Sequence, residues 1–174
     1  MKAVLDTNVW LDWLVFDDPS ARELGLVAEA GALALLATPA TRAEWLDVIG
    51  RPQFRLDAAA REAVAGRYDL HATLVDADPP VEDLPGQAVP PPPAKVPLCR
   101  DPDDRKFVEL AVAAGASFLV SRDKALLKLA RQARRWHGLE IVRPEAPAWR
   151  DALAALLQGR TPRSSGAPPG DERL

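Results

Sequence analysis

The chain has 174 residues, of which 48% are hydrophobic and 27% are charged, and its net charge at pH 7 is −3. This length suits one domain, and the composition is that of an ordinary globular protein, which excludes a wholly disordered chain. The mildly negative charge argues against a protein that holds nucleic acid through overall positive charge, although a local basic face stays open.

Cysteine usage and the amino-terminal residues indicate the compartment. The one cysteine, Cys99, has no partner for an internal disulfide, and with two histidines it offers few ligands for a structural zinc site. The opening run is not a signal peptide because Asp6 interrupts its apolar residues at once. No uncharged stretch is long enough to cross a bilayer. We therefore expect a cytoplasmic protein without a membrane partner.

Short apolar runs alternate with amphipathic segments along the chain. Five strands are predicted, over Lys2–Leu5, Leu33–Ala37, Ala72–Val75, Phe118–Val120 and Glu140–Val142. Helices are predicted between and after them, over Val9–Val15, from Ser20 towards Gly31, from Pro39 past Ile49, and over Asp57–Tyr68, Pro102–Ala114, Lys124–Arg135 and Ala148–Leu157. Continuously apolar strands that alternate with helices predict an α/β fold, in which helices cover both faces of a parallel sheet in a three-layer α/β/α sandwich.

Two segments depart from this alternation. Asp78–Pro97 holds a large share of the 17 prolines, including four in succession, and can be neither helix nor central strand. We expect a semi-rigid surface loop inside a single domain over residues 1–157, and a docking site for a partner is the alternative. Residues 158–174 have almost no apolar side chains, which predicts a disordered tail.

Four acidic residues fall where one edge of such a sheet would collect them. Asp6 and Asp123 follow the first and fourth strands, while Glu44 and Asp104 lie near helix starts that should line the same edge. The ligand crevice of an open parallel sheet lies at the carboxyl ends of its strands. Converging carboxylates stay ionised beside a cation, and oxygen ligands with retained water favour Mg²⁺ or Mn²⁺. Such a site suits the hydrolysis of phosphodiesters.

Each of these acids also has a structural explanation. Asp6 and Asp123 could cap the helices that follow them. The spacing from Thr41 to Glu44 matches a capping box. Asp101 stands directly before a proline that would begin a helix, so it is a less certain ligand than the other four acids. The pattern alone leaves these alternatives open.

Around these acids the sequence resembles the PIN-domain nucleases. The motifs that carry the resemblance are Leu5–Val9, then Glu44 with Val48 and Arg51–Phe54, then Leu98–Asp104, and finally Leu119–Lys124. The resemblance runs from about Lys2 to Ala148. The branch that it resembles contains toxins of bacterial toxin–antitoxin pairs, related to the VapC-like ribonucleases.

This resemblance implies a PIN-like fold and a Mg²⁺- or Mn²⁺-dependent endoribonuclease that leaves a 5′-phosphate and a 3′-hydroxyl. It implies a homodimer and a small antitoxin protein that silences it. Catalytic and metal-binding roles carry over to Asp6, Glu44, Asp104 and Asp123, with Asp101 less certain. Polar residues that would support these ligands or hold water are Thr7, Asn8 and Ser121.

Basic residues after the fourth strand are candidates for substrate binding. Arg122 and Lys124 flank Asp123, and Lys128 follows at helical spacing. They could form a phosphate track for RNA, which would make binding sensitive to salt. A helix face kept polar by contact with solvent is the alternative.

Other protein classes fit the acidic pattern less well. A receiver-like signalling domain also binds Mg²⁺ at strand ends, but it needs paired acids near the first strand, where Asp6 stands alone. A phosphatase with an aspartate nucleophile commonly has Asp-x-Asp, and Asn8 occupies the second of those positions. The alternative to a ribonuclease is a catalytically silent, PIN-like or receiver-like module that binds Mg²⁺ and a partner.

Overall fold

The computed structural model describes residues 1–75 and 102–159. The proline-rich segment Asp78–Pro97, the candidate ligand Asp101 and the tail from residue 160 lie outside the described residues. The loop, the tail and the domain bounds therefore stay predictions.

A five-stranded parallel sheet forms the centre of the molecule. Its strands are β1 (Lys2–Leu5), β2 (Ala34–Ala37), β3 (Ala72–Leu74), β4 (Phe118–Val120) and β5 (Glu140–Val142), in the spatial order β3-β2-β1-β4-β5. Val4 of β1 lies opposite Leu36 on one side and Leu119 on the other. The predicted parallel α/β sheet is confirmed.

Eight helices surround this sheet in the described part of the chain. They are α1 (Thr7–Leu14), α2 (Arg22–Glu29), α3 (Pro39–Ile49), α4 (Ala58–His71), α5 (Pro102–Ala113), α6 (Lys124–Lys128), α7 (Ala130–His137) and α8 (Pro147–Leu157). Single 3₁₀ turns occur at Pro19–Ala21 and Pro52–Phe54. No helix among these is long and apolar enough to cross a membrane.

The predicted helix over Lys124–Arg135 is interrupted. Leu129 ends α6 and precedes α7, and its amide bonds to the carbonyl of Leu126, three residues back. Such a bond tightens the backbone into a 3₁₀-type turn. Leu126 of α6 and Ala133 of α7 belong to the same buried cluster, and no glycine or proline near Leu129 marks the break in the sequence.

Two hydrophobic cores lie on the two faces of the sheet. One face packs against α1, α2, α3, α4 and α8, and the other packs against α5, α6 and α7. Alternation along β1 sends Leu5 into the first core and Val4 into the second, as the period of a strand requires. Both faces are covered, which makes the fold a three-layer α/β/α sandwich.

Aromatic packing in the first core fixes the helices that carry the acidic residues. The Tyr68 ring lies 4.4 Å from the Trp10 ring of α1 and 5.4 Å from the Trp45 ring of α3, measured between centroids. All three side chains are buried. Large rings that interlock in this way leave little freedom for relative motion. Helices α1 and α3 are thus held together at the edge of the sheet.

The strand order creates a crevice beside β1. The chain leaves β1 for β2 on one side, while β4 pairs with β1 on the other. The connections that follow β1 and β4 therefore diverge, and a cleft opens at the carboxyl ends of these two strands.

Candidate active site

Asp6 lies at this divergence, directly after β1. Its amide extends the β-ladder by bonding to the carbonyl of Val120 at 3.0 Å. Asp6 occupies the N-cap position of α1, yet its side chain makes no capping bond. Its Oδ2 instead accepts hydrogen bonds from the hydroxyl of Ser121 at 2.6 Å and from the amide of Asn8 at 3.2 Å. The capping explanation for the Asp6 side chain is therefore wrong.

The surroundings of Asp6 make its negative charge costly. The residue is only 3% exposed, and burial raises the pKa of its carboxyl above the ordinary value. The hydrogen bonds from Ser121 and Asn8 lower that pKa, while the negative charge of Glu44 raises it further. Asp6 is thus a buried acid whose ionised form a nearby cation would stabilise.

Ser121 connects Asp6 to Asp123, the acid that follows β4. While its hydroxyl donates to Asp6, its oxygen accepts a bond of 2.9 Å from the amide of Asp123. The Oδ1 of Asp123 accepts from the amides of Ala125 and Leu126 and so caps α6. The capping explanation is confirmed for Asp123, and its role towards a metal stays a prediction.

Glu44 faces the cleft from the second turn of α3. This helix is capped by Thr38, whose hydroxyl accepts from the Thr41 amide at 3.2 Å, while the Thr41 hydroxyl accepts from the Thr38 amide at 2.9 Å. A capping box from Thr41 to Glu44 is therefore wrong, because the N-cap of the helix is Thr38, three residues before Thr41. The Oε1 of Glu44 accepts a bond of 2.6 Å from the hydroxyl of Thr7.

Lys106 of α5 forms an ion pair with the Oε2 of Glu44. About a quarter of each side chain is exposed, at 27% and 24%, so the pair is partly shielded from water. Lys106 has no distinguishing signal in the sequence, because a lysine in the first turns of a helix is ordinarily a solvated residue. Phe107, Val108 and Ala111 form the buried face of α5.

These residues share one cleft. It has a volume of about 570 Å³, within the range of about 300–1,000 Å³ that is usual for ligand sites. Its charged lining residues are Asp6, Glu44, Asp47, Arg51, Asp104 and Lys106, with Thr7 and Asn8 beside them. Asp123 lies outside this lining and is connected to it through Ser121. Three of the four predicted acids therefore meet in one place.

The cleft suits a Mg²⁺ or Mn²⁺ ion that keeps several of its waters better than an ion coordinated by protein groups alone. Within residues 1–75 and 102–159, no three Asp, Glu, His or Cys side chains come close enough together to hold a metal. Mg²⁺ commonly keeps several waters and binds through only one or two carboxylates. Asp6 and Glu44 offer the hard oxygen donors that such an ion prefers, and Asp104 offers another along the same cleft.

The candidate substrate-binding residues occupy different environments. The guanidinium of Arg122 pairs with Asp12 of α1 at 2.6 Å and with Glu145, and it reaches the Ser20 hydroxyl at 3.3 Å. These contacts tie the β4–α6 loop to its neighbours. Lys124 and Lys128 are exposed on α6. Binding of RNA by these three residues stays a prediction.

Comparison with known families agrees with this geometry. The model of the PIN domain family matches residues 2–125, which is most of the chain. No curated protein and no solved structure matches. PIN domains are generally nucleases and typically use divalent metal ions. On this match, together with the parallel α/β/α fold, the chain belongs to the PIN-domain family.

Proposed function

We propose that this protein is a Mg²⁺- or Mn²⁺-dependent endoribonuclease. The observation that carries the proposal is the meeting of Asp6, Glu44 and Asp104 in one cleft at the carboxyl edge of the sheet. Carboxylates at this edge of a PIN domain are suited to phosphodiester hydrolysis. The reaction adds water to phosphorus and breaks the bond to the 3′ oxygen, which leaves as a hydroxyl.

The chain's own residues orient the carboxylates for this reaction. Ser121 and Asn8 direct the Oδ2 of Asp6, and Thr7 fixes the Oε1 of Glu44. Hydrogen bonds of this kind set the direction and the basicity of metal ligands. Asp6 and Glu44 would hold the ion together with Asp104, and Asp123 would complete the site directly or through water.

A bound ion supplies the Lewis acidity that activates water and neutralises charge on the phosphate. Lys106 supplies a positive charge on the same wall of the cleft. In the metal-free protein this ammonium offsets the charge of Glu44. With the ion in place, we expect the Lys106 ammonium to turn towards a phosphate oxygen of the substrate.

The biological setting forms the finer part of the proposal. Resemblance to the VapC-like branch favours a cytoplasmic toxin of a toxin–antitoxin pair, which forms a homodimer and is silenced by a small protein. The alternative is a catalytically silent interaction module, which the ion pair between Lys106 and Glu44 would suit, because it neutralises a candidate ligand without metal.

The test is cleavage of a mixed pool of structured RNAs by the purified protein, with Mn²⁺ or with EDTA. A Glu44→Gln variant serves as the inactive comparison, and single-stranded DNA of the same sequence tests the preference for RNA. We expect RNA fragments with 5′-phosphates that need both Mn²⁺ and Glu44. Binding of Mn²⁺ without cleavage of any substrate would favour the silent module.

The toxin role has a separate test in cells. Induced expression of the protein in a bacterium should arrest growth, and the Glu44→Gln variant should not. If a small protein is encoded beside it, co-expression of that protein should restore growth. Normal growth with active, soluble protein would contradict the toxin role and leave the nuclease proposal intact.

A further inference from the structure

The cleft has an aromatic wall in addition to its acidic one. Phe54 and Gln53 line the same cleft as Asp6 and Glu44. The Phe54 ring packs against Phe16, with the ring centroids 6.0 Å apart and the planes tilted by 48°. Phe16 is 58% exposed. An open aromatic face thus continues directly from the cleft that holds the carboxylates.

Backbone hydrogen bonds position the two segments that carry these rings. Phe54 ends the 3₁₀ turn Pro52–Phe54, and its amide bonds to the carbonyl of Arg51 at 3.2 Å. Arg51 is anchored in turn by an ion pair of 2.7 Å with Asp47 of α3. The amide of Phe16 bonds at 3.0 Å to the carbonyl of Leu11, which itself lines the cleft. Because the backbone that carries the rings is already ordered, less conformational freedom is lost when a ligand covers them.

The charges of the cleft limit how a polyanion can bind there. Four carboxylates, one guanidinium and one ammonium line the cleft, so its net negative charge repels phosphate groups until a metal ion enters. Affinity for a nucleic acid must then come largely from uncharged contacts. Stacking of a base on an aromatic ring provides about 1–3 kcal/mol and does not depend on charge.

We infer that Phe16 and Phe54 form a stacking subsite for one unpaired base of a single-stranded RNA. The Gln53 amide lies beside this subsite and can both donate to and accept from a base edge. The bases of a duplex are stacked on one another and cannot splay onto the rings. This subsite rests on the proposed function and adds a substrate class to it.

The test measures binding of a short, fluorescein-labelled, single-stranded RNA by anisotropy in the presence of Mg²⁺. All proteins carry Asp6→Asn, so that cleavage does not disturb the equilibrium. The test variants are Phe54→Leu, which keeps an apolar side chain, and Phe16→Ala, which removes an exposed side chain and leaves the buried core intact. The control is Trp136→Leu, which removes an exposed ring of α7 that does not line the cleft.

We expect each test variant to raise the Kd at least about fivefold, which corresponds to about 1 kcal/mol of stacking. The control should bind like the Asp6→Asn parent, and duplex RNA should bind more weakly than the single strand. Removing one base at a time from the RNA should weaken binding to the parent at one position. The same removal should have no further effect on the Phe54→Leu protein, because the base and the Phe54 ring would lose the same interaction.

Unchanged Kd values in both test variants would overturn the subsite, and so would an equal loss in the Trp136→Leu control. Conversion of a dimer to a monomer by Phe16→Ala, with RNA binding unchanged, would show that a second copy of the chain covers the rings. Ring-dependent binding, together with no RNA cleavage by the wild-type protein, would retain the subsite and reject the nuclease. Cleavage by the wild-type protein, together with binding that ignores both rings, would do the reverse.

Discussion

The hydroxyl of Ser121 donates a hydrogen bond of 2.6 Å to the buried carboxylate of Asp6, across 115 positions of the chain. The two residues meet because β1 and β4 are paired, with Leu5 opposite Val120. The oxygen of Ser121 also accepts from the amide of Asp123. One side chain therefore connects the acid that follows β1 to the acid that follows β4.

Replacing Ser121 with alanine should weaken metal binding. Asp6 would lose a hydrogen bond that lowers its pKa and fixes its Oδ2. We expect Mn²⁺ affinity, measured by titration calorimetry, and kcat to fall about 10- to 100-fold. Ser117→Ala, an exposed change just before the same strand, is the matched control. A folded Ser121→Ala protein with full Mn²⁺ affinity would show that the bond does not position Asp6.

Replacing Lys106 with methionine should have opposite effects on metal and RNA. Loss of the ammonium leaves the Oε2 of Glu44 without its cation, so we expect Mn²⁺ to bind about tenfold more tightly, equivalent to about 1.4 kcal/mol. RNA should bind more weakly, because the cleft loses one of its two positive charges. Lys2→Met removes the same charge from the first residue of β1, away from the cleft, and should change neither affinity. Weaker Mn²⁺ binding by Lys106→Met would contradict this role of the lysine.

Much of the fold follows from local pattern, because buried strands and amphipathic helices leave a direct mark on the sequence. The strands were predictable on this basis, and the parallel sheet followed from their alternation with helices. The break at Leu129 was not, because no glycine or proline marks it in the sequence. The tight turn that Leu129 makes with Leu126 leaves no local signal.

The site was predictable in its acids and less so in their partners. Position after a strand identified Asp6 and Asp123, but the contact between Thr7 and Glu44 spans 37 residues. Neither that contact nor the pairing of Lys106 has a sequence pattern. The spacing from Thr41 to Glu44 suggested a capping box, but the capping box of this helix is formed by Thr38 and Thr41.

Arg122 provides a test that separates a structural role from contact with RNA. The Arg122 side chain is about one-third exposed. We therefore expect Arg122→Ala to lower the free energy of unfolding by about 1 kcal/mol, or Tm by about 2–4 °C. Lys124→Ala should leave Tm unchanged and reduce the salt dependence of RNA binding by about 0.7 in log–log slope, the value for one contact to a single strand. An unchanged Tm for Arg122→Ala, with a reduced slope, would instead place Arg122 on the RNA.

Replacing Asp6 with asparagine should stabilise the metal-free protein. Burial raises the pKa of Asp6, so the folded state binds the proton more tightly than the unfolded state. Stability therefore falls as pH rises from the ordinary pKa of an aspartate to the raised pKa of Asp6 in the folded protein. The cost persists at neutral pH. Each gain of about 1 kcal/mol in the free energy of unfolding should raise Tm by about 2–4 °C. This gain should shrink as pH falls towards about 4, where the Asp6 carboxyl becomes protonated in both states. A lower Tm for Asp6→Asn at pH 7 would contradict this interpretation.

The central claim is that Asp6 anchors a metal-dependent site for RNA cleavage. The most direct measurement is the rate of RNA cleavage as Mn²⁺ is titrated, for the wild-type protein, Asp6→Asn and the control Asp151→Asn, which changes an exposed acid of α8. We predict saturable, Mn²⁺-dependent cleavage by the wild type and the control, and none by Asp6→Asn at any Mn²⁺ concentration. Cleavage by Asp6→Asn at the wild-type rate, or equal rates with and without Mn²⁺, would contradict the claim.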